Sequence, residues 1–246
     1  ASGLFAELEA TGSLLTVPNS LSEIVAEMKA QGGFSPRALP VLHEPGIISI
    51  GERETLVISP SLRLRVEASA SIVDDEWTKP PDPLSPFAEE DLFQRSHGDP
   101  NGLHMLAEAV SRGYFIQREF ESELYAIIAL ALKKASARDR VIMLHGQSGT
   151  GKTVAFARLA TRARQELGIP VLLSAGRIPE PADIDAFCEE AERAGFGPTL
   201  VLCDANEPIE RYLPLADALR SRGRKFLLAG TSYRLDGISH RGASFV

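Results

Sequence analysis

The stretch that most constrains this chain combines an apolar run, a glycine-rich octapeptide and a helix-compatible run, all within residues 141–161. The apolar run, Val141–His145, is typical of a short buried strand. Residues 146–153 then spell G-x-x-x-x-G-K-T, the pattern of a phosphate-binding loop. The sequence therefore predicts an α/β fold of the P-loop NTPase type, with a parallel sheet flanked by helices. A glycine-rich turn before a basic helix is the alternative interpretation.

The composition of the octapeptide fits the chemistry of a triphosphate. Glycines let main-chain N–H groups converge on an anion, since glycine tolerates positive φ and carries no Cβ. The following helix adds free N–H groups and a favourable dipole at its N-terminus. Lys152 would supply positive charge at the β- and γ-phosphates, and Thr153 a hydroxyl ligand for Mg²⁺. The predicted nucleotide contacts in this loop are Gly146, Gln147, Ser148, Gly149, Thr150, Gly151, Lys152 and Thr153.

Three further apolar runs follow the loop, at residues 170–174, 199–204 and 225–230, and they alternate with helical patterns. This alternation favours a parallel sheet covered by helices on both faces. Ligands of such sheets bind outside the carboxyl ends of the strands. Because Gly146, Asp204 and Thr231 all stand at predicted strand ends, we expect them to converge on one site.

A carboxylate at the end of the run 199–204 is the expected second element of the site. Asp204 is predicted to hold the magnesium shell, although a strand-end aspartate that caps the next turn has the same pattern. Hydrolysis also needs a group that orients or deprotonates water. Ala205 follows Asp204 directly, so the nearest candidate base is Glu207. Arg234 is predicted to contact the γ-phosphate, with a solvated or structural arginine as the alternative.

The first third of the chain, residues 1–78, is predicted to form a small α+β region that precedes the NTPase fold. A helical pattern ends at Gly32-Gly33. Residues 46–50 and 55–59 flank a turn, and residues 62–67 alternate strictly between apolar and polar side chains. These patterns predict helices followed by a small antiparallel sheet.

Four prolines lie within residues 79–86, which predicts an extended, semi-rigid segment. We therefore expect a proline-rich linker over 79–100 and the NTPase domain over 101–246. The charge distribution supports two units. Residues 1–100 hold 16 acidic and 7 basic side chains, a net charge of −9, whereas residues 101–246 hold 17 acidic and 19 basic side chains, a net charge of +2.

Composition excludes several classes of function. Neither unit carries the strong basic excess of a nucleic-acid surface, and no apolar run is long enough to cross a membrane. The two cysteines, Cys188 and Cys203, lack metal-ligand spacing and are expected to be small buried hydrophobic residues. A reducing, cytoplasmic location fits this cysteine usage.

Residues 115–119, F-I-Q-R-E, precede an amphipathic helix and then the phosphate loop. This order resembles the STAND class of P-loop NTPases and related AAA+ proteins, in which an F-x-G-R-E box helps hold adenine; here Gln117 replaces the usual glycine. The resemblance implies that Phe115 and Ile116 lie near the base and that Arg118 stabilises that wall or approaches the nucleotide. It also implies that Asp204 is the Walker B acid and that the strand ending at Gly230 is the sensor strand.

The family pattern also implies how the chain works. It expects a fifth strand and a helical or winged-helix segment, and the chain is expected to end before either. Such modules sit between an effector and a repeat-built sensor, often in bacterial antiviral defence, and the N-terminal third looks a little like the end of a sirtuin-like effector. We expect an ATP-binding switch that hydrolyses ATP slowly with Mg²⁺ and forms homo-oligomers on activation. The alternatives are an AAA+ motor acting on nucleic acid or protein, a small-molecule kinase and a non-enzymatic scaffold.

Overall fold

A six-stranded sheet lies at the centre of the computed structural model, which describes residues 47–50, 54–98, 103–134, 141–233 and 243–245. Contacts divide the chain into Ala1–Glu44 and Pro45–Val246, and all described residues belong to the second unit. The strands are β1 (Ile47–Ile50), β2 (Glu54–Val57), β3 (Ser71–Ile72), β4 (Val141–His145), β5 (Val171–Ala175), β6 (Thr199–Asp204), β7 (Phe226–Ser232) and β8 (Ala243–Phe245). The helices are α1 (Pro60–Glu67), α2 (Asp75–Thr78), α3 (Pro86–Gly98), α4 (Leu103–Ser111), α5 (Phe120–Lys133), α6 (Lys152–Leu167), α7 (Pro181–Arg193) and α8 (Ile209–Ser221).

The strand order in the sheet is β3-β5-β6-β7-β4-β8. All neighbouring pairs are parallel except β3 with β5, which is antiparallel. Every residue of β6 and β7 is buried, as expected for central strands that are covered on both faces. The predicted α/β fold with a parallel sheet flanked by helices is thus confirmed.

The core consists of two layers, one on each face of the sheet. Side chains alternate between the layers along each strand. Val141 and Met143 of β4 face the layer that contains α7 and α8, whereas Ile142 and Leu144 face the layer that contains α4, α5 and α6. The helices before and after the phosphate loop, α5 and α6, therefore pack on the same face of the sheet, and α7 and α8 cover the other face. Among the helices that the structure describes, none has the length and apolar character that a membrane crossing requires.

The expected strand over residues 62–67 is wrong, because this segment is helix α1. The Ser59 hydroxyl accepts a hydrogen bond from the Leu62 amide, and Pro60 occupies the first turn, so the chain carries a helix-start signal. Leu62 and Val66, one helical turn apart, are buried, whereas Leu64 between them is 71% exposed. The apolar residues at positions 62, 64 and 66 therefore also fit a helix, because a helix buries only the first and the third of them.

The segment before the proline-rich stretch contacts the central sheet. Ser71–Ile72 pairs with β5, and the Arg164 guanidinium of α6 binds the Asp75 carboxylate and the Thr78 hydroxyl. Residues 54–78 therefore share a core with the NTPase fold. The predicted pairing of β1 with β2 is confirmed. The helix expected before Gly32-Gly33 lies outside the described residues. The division of the chain into units 1–78, 79–100 and 101–246 stays a prediction.

Two expectations for later segments need correction. The proline-rich stretch is irregular only up to Ser85, because Pro86 begins helix α3. The fifth strand was expected to be absent, but β8 pairs in parallel with β4.

Candidate nucleotide-binding site

The phosphate-binding loop connects β4 to α6, as the sequence predicts. Gly149 and Gly151 have φ angles of 79° and 91°, in the left-handed region that favours glycine. Gly151 is the N-cap of α6, and because glycine has no side chain that could cap the helix, the first-turn N–H groups are available to an anion. At position 146 glycine is required because there is no room for a side chain, not because of the backbone φ angle. A Cβ there would lie 2.9 Å from the Thr150 hydroxyl.

The Lys152 side chain folds over the loop that precedes it. Its Nζ donates hydrogen bonds to the carbonyls of Gly146 at 2.8 Å and Gln147 at 3.0 Å. The same Nζ lies 4.6 Å from the centre of the Tyr233 ring. Lys152 is only 5% exposed, and this burial lowers the pKa of its amine, while the charge of Asp204 acts in the opposite direction. A buried cation therefore stands between the loop and the carboxylate at the end of β6.

The loop is attached to the end of β7, the predicted sensor strand. Parallel pairing sets His145 beside Ser232. The Gly146 amide donates to the Ser232 carbonyl at 3.1 Å, and His145 Nε2 lies 3.2 Å from the Tyr233 carbonyl oxygen. These contacts hold the start of the loop and the residues after β7 in a common position.

Asp204 is buried at the end of β6 and is held by two neighbours. The Thr231 hydroxyl donates to Asp204 Oδ1 at 2.7 Å, and Asn206 Nδ2 lies 3.4 Å from the same oxygen. The Thr231 hydroxyl also accepts the Asn206 amide hydrogen at 3.0 Å. The expected convergence of the ends of β4, β6 and β7 is therefore seen in direct contacts.

Asn206 is a site residue that the sequence reasoning missed. Its φ of 54° is the left-handed conformation that asparagine tolerates better than most residues, so Asn two positions after a strand-end Asp was a usable turn signal. Its Oδ1 is buried without a hydrogen-bond partner among the described residues. This leaves one polar acceptor beside the Asp204 carboxylate unsatisfied.

Glu207, the candidate base, has an exposed side chain. Its amide donates to the Tyr212 hydroxyl at 3.4 Å, and that hydroxyl donates to the Thr231 carbonyl at 2.6 Å. Burial raises the pKa of Tyr212, which therefore remains a neutral donor. The structure thus anchors the backbone of Glu207 near the site, while its carboxylate faces solvent.

The segment expected to form the base wall lies beside the loop. The Phe115 ring stacks with the Arg158 guanidinium at 3.9 Å, and Arg118 Nε is 3.3 Å from the position that a Cβ on Gly151 would occupy. Ile116 is exposed. Arg118 is therefore placed against the phosphate loop from the side of the F-I-Q-R-E box.

A cavity of about 150 Å³ lies next to this segment rather than in the loop. It is enclosed by α5 and α6, and its lining includes Gln117, Glu121, Tyr125, Arg158 and Arg162. The Arg158–Glu121 ion pair and the stacking of Arg162 on Tyr125 occupy its charged groups. The phosphate loop itself is an open nest of main-chain groups, which is the form that anion sites of this kind take.

The structure brings together the loop residues 146–153, Asp204 and Thr231, and it adds Asn206 and Tyr233, which the sequence reasoning did not name as site residues. Thr153 lies in the first turn of α6. Arg234 lies outside the described residues. The two cysteines are buried as expected, and burial raises the pKa of both thiols to about 12.

Comparison with solved structures finds limited similarity. A Rhizobiales Trip13 is 18% identical, with 62% of this chain and 63% of that chain covered and a TM-score of 0.38. C. elegans PCH-2 is 19% identical over 52% and 41%, with a TM-score of 0.36. AMPPCP-bound DnaA from Aquifex aeolicus is 20% identical over 55% and 48%, with a TM-score of 0.31. The chain spans less than two thirds of the length of each.

No curated protein matches the chain. A protein-family model does match, over residues 105–239, and it is described as Novel STAND NTPase 5. This range covers more than half of the 246 residues and includes the F-I-Q-R-E box, the phosphate loop, Asp204 and β7. Because the match spans the whole site, the chain belongs to the Novel STAND NTPase 5 family.

Proposed function

We propose that the protein is a nucleotide-dependent switch that binds ATP with Mg²⁺ and hydrolyses it slowly. The observation that carries the proposal is the hydrogen bond that joins Asp204 to Thr231 across neighbouring strands, with Lys152 of the phosphate loop close enough for the charge of Asp204 to affect its pKa. Main-chain N–H groups at the start of α6 would bind the phosphates, and Lys152 would neutralise their charge. The preference for adenine rests on the resemblance to STAND proteins.

The donor set fits Mg²⁺, which prefers hard oxygen ligands. Both hydrogen bonds that described residues donate to the Asp204 carboxylate, from Thr231 and from Asn206, end on Oδ1. Oδ2 is therefore left for the hydration shell of the metal, and the Thr153 hydroxyl would supply a second oxygen. When bound, the ion would draw charge from the β- and γ-phosphates.

The other predicted contacts surround the phosphates. Phe115 and Ile116 would lie near the base, with Arg118 approaching the nucleotide beside Gly151, and Arg234 would contact the γ-phosphate. The contact between Arg118 and the loop supports its part in this arrangement.

Slow hydrolysis follows from the residues around Asp204. Ala205 occupies the position directly after it, and the exposed Glu207 carboxylate would have to turn inward to act on water. Asn206 can orient a water molecule but cannot take its proton. ATP would thus persist long enough to favour one arrangement of neighbouring domains.

For the cellular role we propose coupling between an effector and a sensor domain of a longer protein, with homo-oligomers on activation. A cytoplasmic location and a part in bacterial antiviral defence follow from the resemblance to STAND proteins. The piece of chain described here would bind nucleotide rather than nucleic acid or membrane.

Calorimetry with Mg²⁺ and ATP or ADP tests the binding step. We expect Lys152→Ala to weaken ATP binding at least tenfold, because a charge-assisted contact of about 1.5–3 kcal/mol is lost. Lys133→Ala, at the exposed end of α5, is the matched control and should bind as the wild type does. Absence of ATP binding by the wild type, or unchanged binding by Lys152→Ala, would contradict the proposal, and turnover of tens per second without any partner would contradict the switch.

A further inference from the structure

The ammonium group of Lys152 is fully engaged by groups of the protein itself. A lysine ammonium has three N–H donors. Two of them are directed to the carbonyls of Gly146 and Gln147, and the Tyr233 ring covers the group at 4.6 Å. A phosphate oxygen can therefore reach this ammonium only by displacing one of these three partners.

The three partners differ in how easily they can leave. The Gly146 carbonyl belongs to a residue whose amide is bonded to Ser232, and the Gln147 carbonyl also accepts the Thr150 hydroxyl at 2.9 Å. Both carbonyls are parts of the loop that would hold the phosphates. The Tyr233 side chain is 48% exposed, so its ring can rotate into solvent at little cost. Of the three, the ring is the partner that can be exchanged for a phosphate.

The backbone of Tyr233 keeps the ring close to the loop. His145 Nε2 lies 3.2 Å from the Tyr233 carbonyl, and the preceding Ser232 carbonyl accepts the Gly146 amide. The residue is thus held at the end of β7 while its side chain remains free to move. The negative face of an aromatic ring attracts a cation as an anion does, although more weakly.

We propose that the Tyr233 ring is a positioning group for Lys152 that competes with the nucleotide phosphates for its ammonium. The ring holds the amine over the loop when no nucleotide is bound, and a phosphate replaces the ring as the partner of the amine when nucleotide binds. Because Tyr233 directly follows β7, the movement of its ring couples phosphate binding in the loop to the end of β7. The inference rests on the proposed nucleotide binding and adds a group that sets its affinity.

Nucleotide affinity of Tyr233→Leu tests the competition. We expect ATP and ADP to bind about twofold to fivefold more tightly than to the wild type, since the ring no longer stabilises the unbound amine. Tyr233→Phe keeps the aromatic face and should restore the weaker binding. Phe87→Leu, an aromatic residue of α3 that is 83% exposed, controls for the loss of a surface ring. Weaker or unchanged binding by Tyr233→Leu would overturn the inference, because a ring that contacts the nucleotide or only packs cannot produce a gain.

A double-mutant cycle in urea unfolding, without nucleotide, tests the contact itself. Tyr233→Leu, Lys152→Met and the double variant should show coupling that changes the unfolding constant about twofold to fivefold. Zero coupling would overturn the inference even if nucleotide binds. If the coupling is present but the wild type binds no nucleotide, the proposed function fails and the competition fails with it, whereas the contact stands.

Discussion

One buried hydroxyl, that of Thr231, links the end of β6 to the turn that follows it. It donates to the Asp204 carboxylate and accepts the Asn206 amide hydrogen, so both its donor and one acceptor position are used. The bonds connect a residue of β7 to residues 25 and 27 positions earlier in the chain. Thr231 thereby determines where the carboxylate of the site points.

Thr231→Val keeps the shape of the side chain but removes both hydrogen bonds. We expect a loss of about 1–3 kcal/mol in the free energy of unfolding, since a buried carboxylate and an amide lose their partner. Thr161→Val, which removes a hydroxyl that donates to the Ala157 carbonyl of its own helix, should change stability by less than about 0.5 kcal/mol. Urea unfolding measures both, and equal effects of the two substitutions would show that the Thr231 bonds contribute little.

The lowered pKa of Lys152 predicts the pH dependence of nucleotide binding. Burial disfavours the charged amine, so it loses its proton at a lower pH than an exposed lysine does. Only the charged form attracts phosphate, and ADP affinity should therefore fall as pH rises through this lowered pKa. Calorimetry from neutral to alkaline pH checks this. An affinity that stays constant until ordinary lysines titrate would show that burial does not affect the amine.

At the scale of elements, β7 and α8 approach each other so closely that one position admits only glycine. A Cβ on Gly230 would lie 2.6 Å from the Tyr212 ring, which is buried and bonded to the Thr231 carbonyl. The helix thus packs directly on the backbone of β7, next to the residue that holds Asp204.

Gly230→Ala is expected to destabilise the fold by about 1–3 kcal/mol, because Tyr212 must shift in a fully packed core. The matched control is Gly197→Ala, where a Cβ meets no atom within 4 Å and φ is not positive. Thermal or urea unfolding of both variants measures the difference. If Gly230→Ala were as stable as Gly197→Ala, the close packing of β7 on α8 would be refuted.

At the scale of the molecule, the acidic N-terminal part is not wholly separate from the NTPase core. Residues 54–78 add β3 to the sheet edge, and Arg65 of α1 forms an ion pair of 2.8 Å with Asp183 of α7. The buried Arg164 side chain joins α6 to α2. A net charge of −9 over residues 1–100 indicated two units, but charge does not report on packing.

Features that depend on neighbouring residues could be predicted from the amino-acid sequence. The phosphate loop, its glycines and the helix after it lie within one continuous stretch, and Asp204 ends a fully apolar run, so local pattern was enough to identify them. Strands β4 to β7 and their parallel arrangement followed from the same periodicities, whereas β3 and β8 were not predicted. The family resemblance rested on the F-I-Q-R-E box and the loop together.

Features that depend on contacts between distant residues became visible only in the folded chain. The pattern of residues 62–67 fits a strand or a helix, and packing of Leu62 and Val66 selected the helix. Thr231 on Asp204, Tyr233 over Lys152 and Tyr212 under Gly230 join segments that are distant in sequence. Periodicity shows which face of an element is buried but not against which partner, because the partner is fixed only when the strands take their order in the sheet.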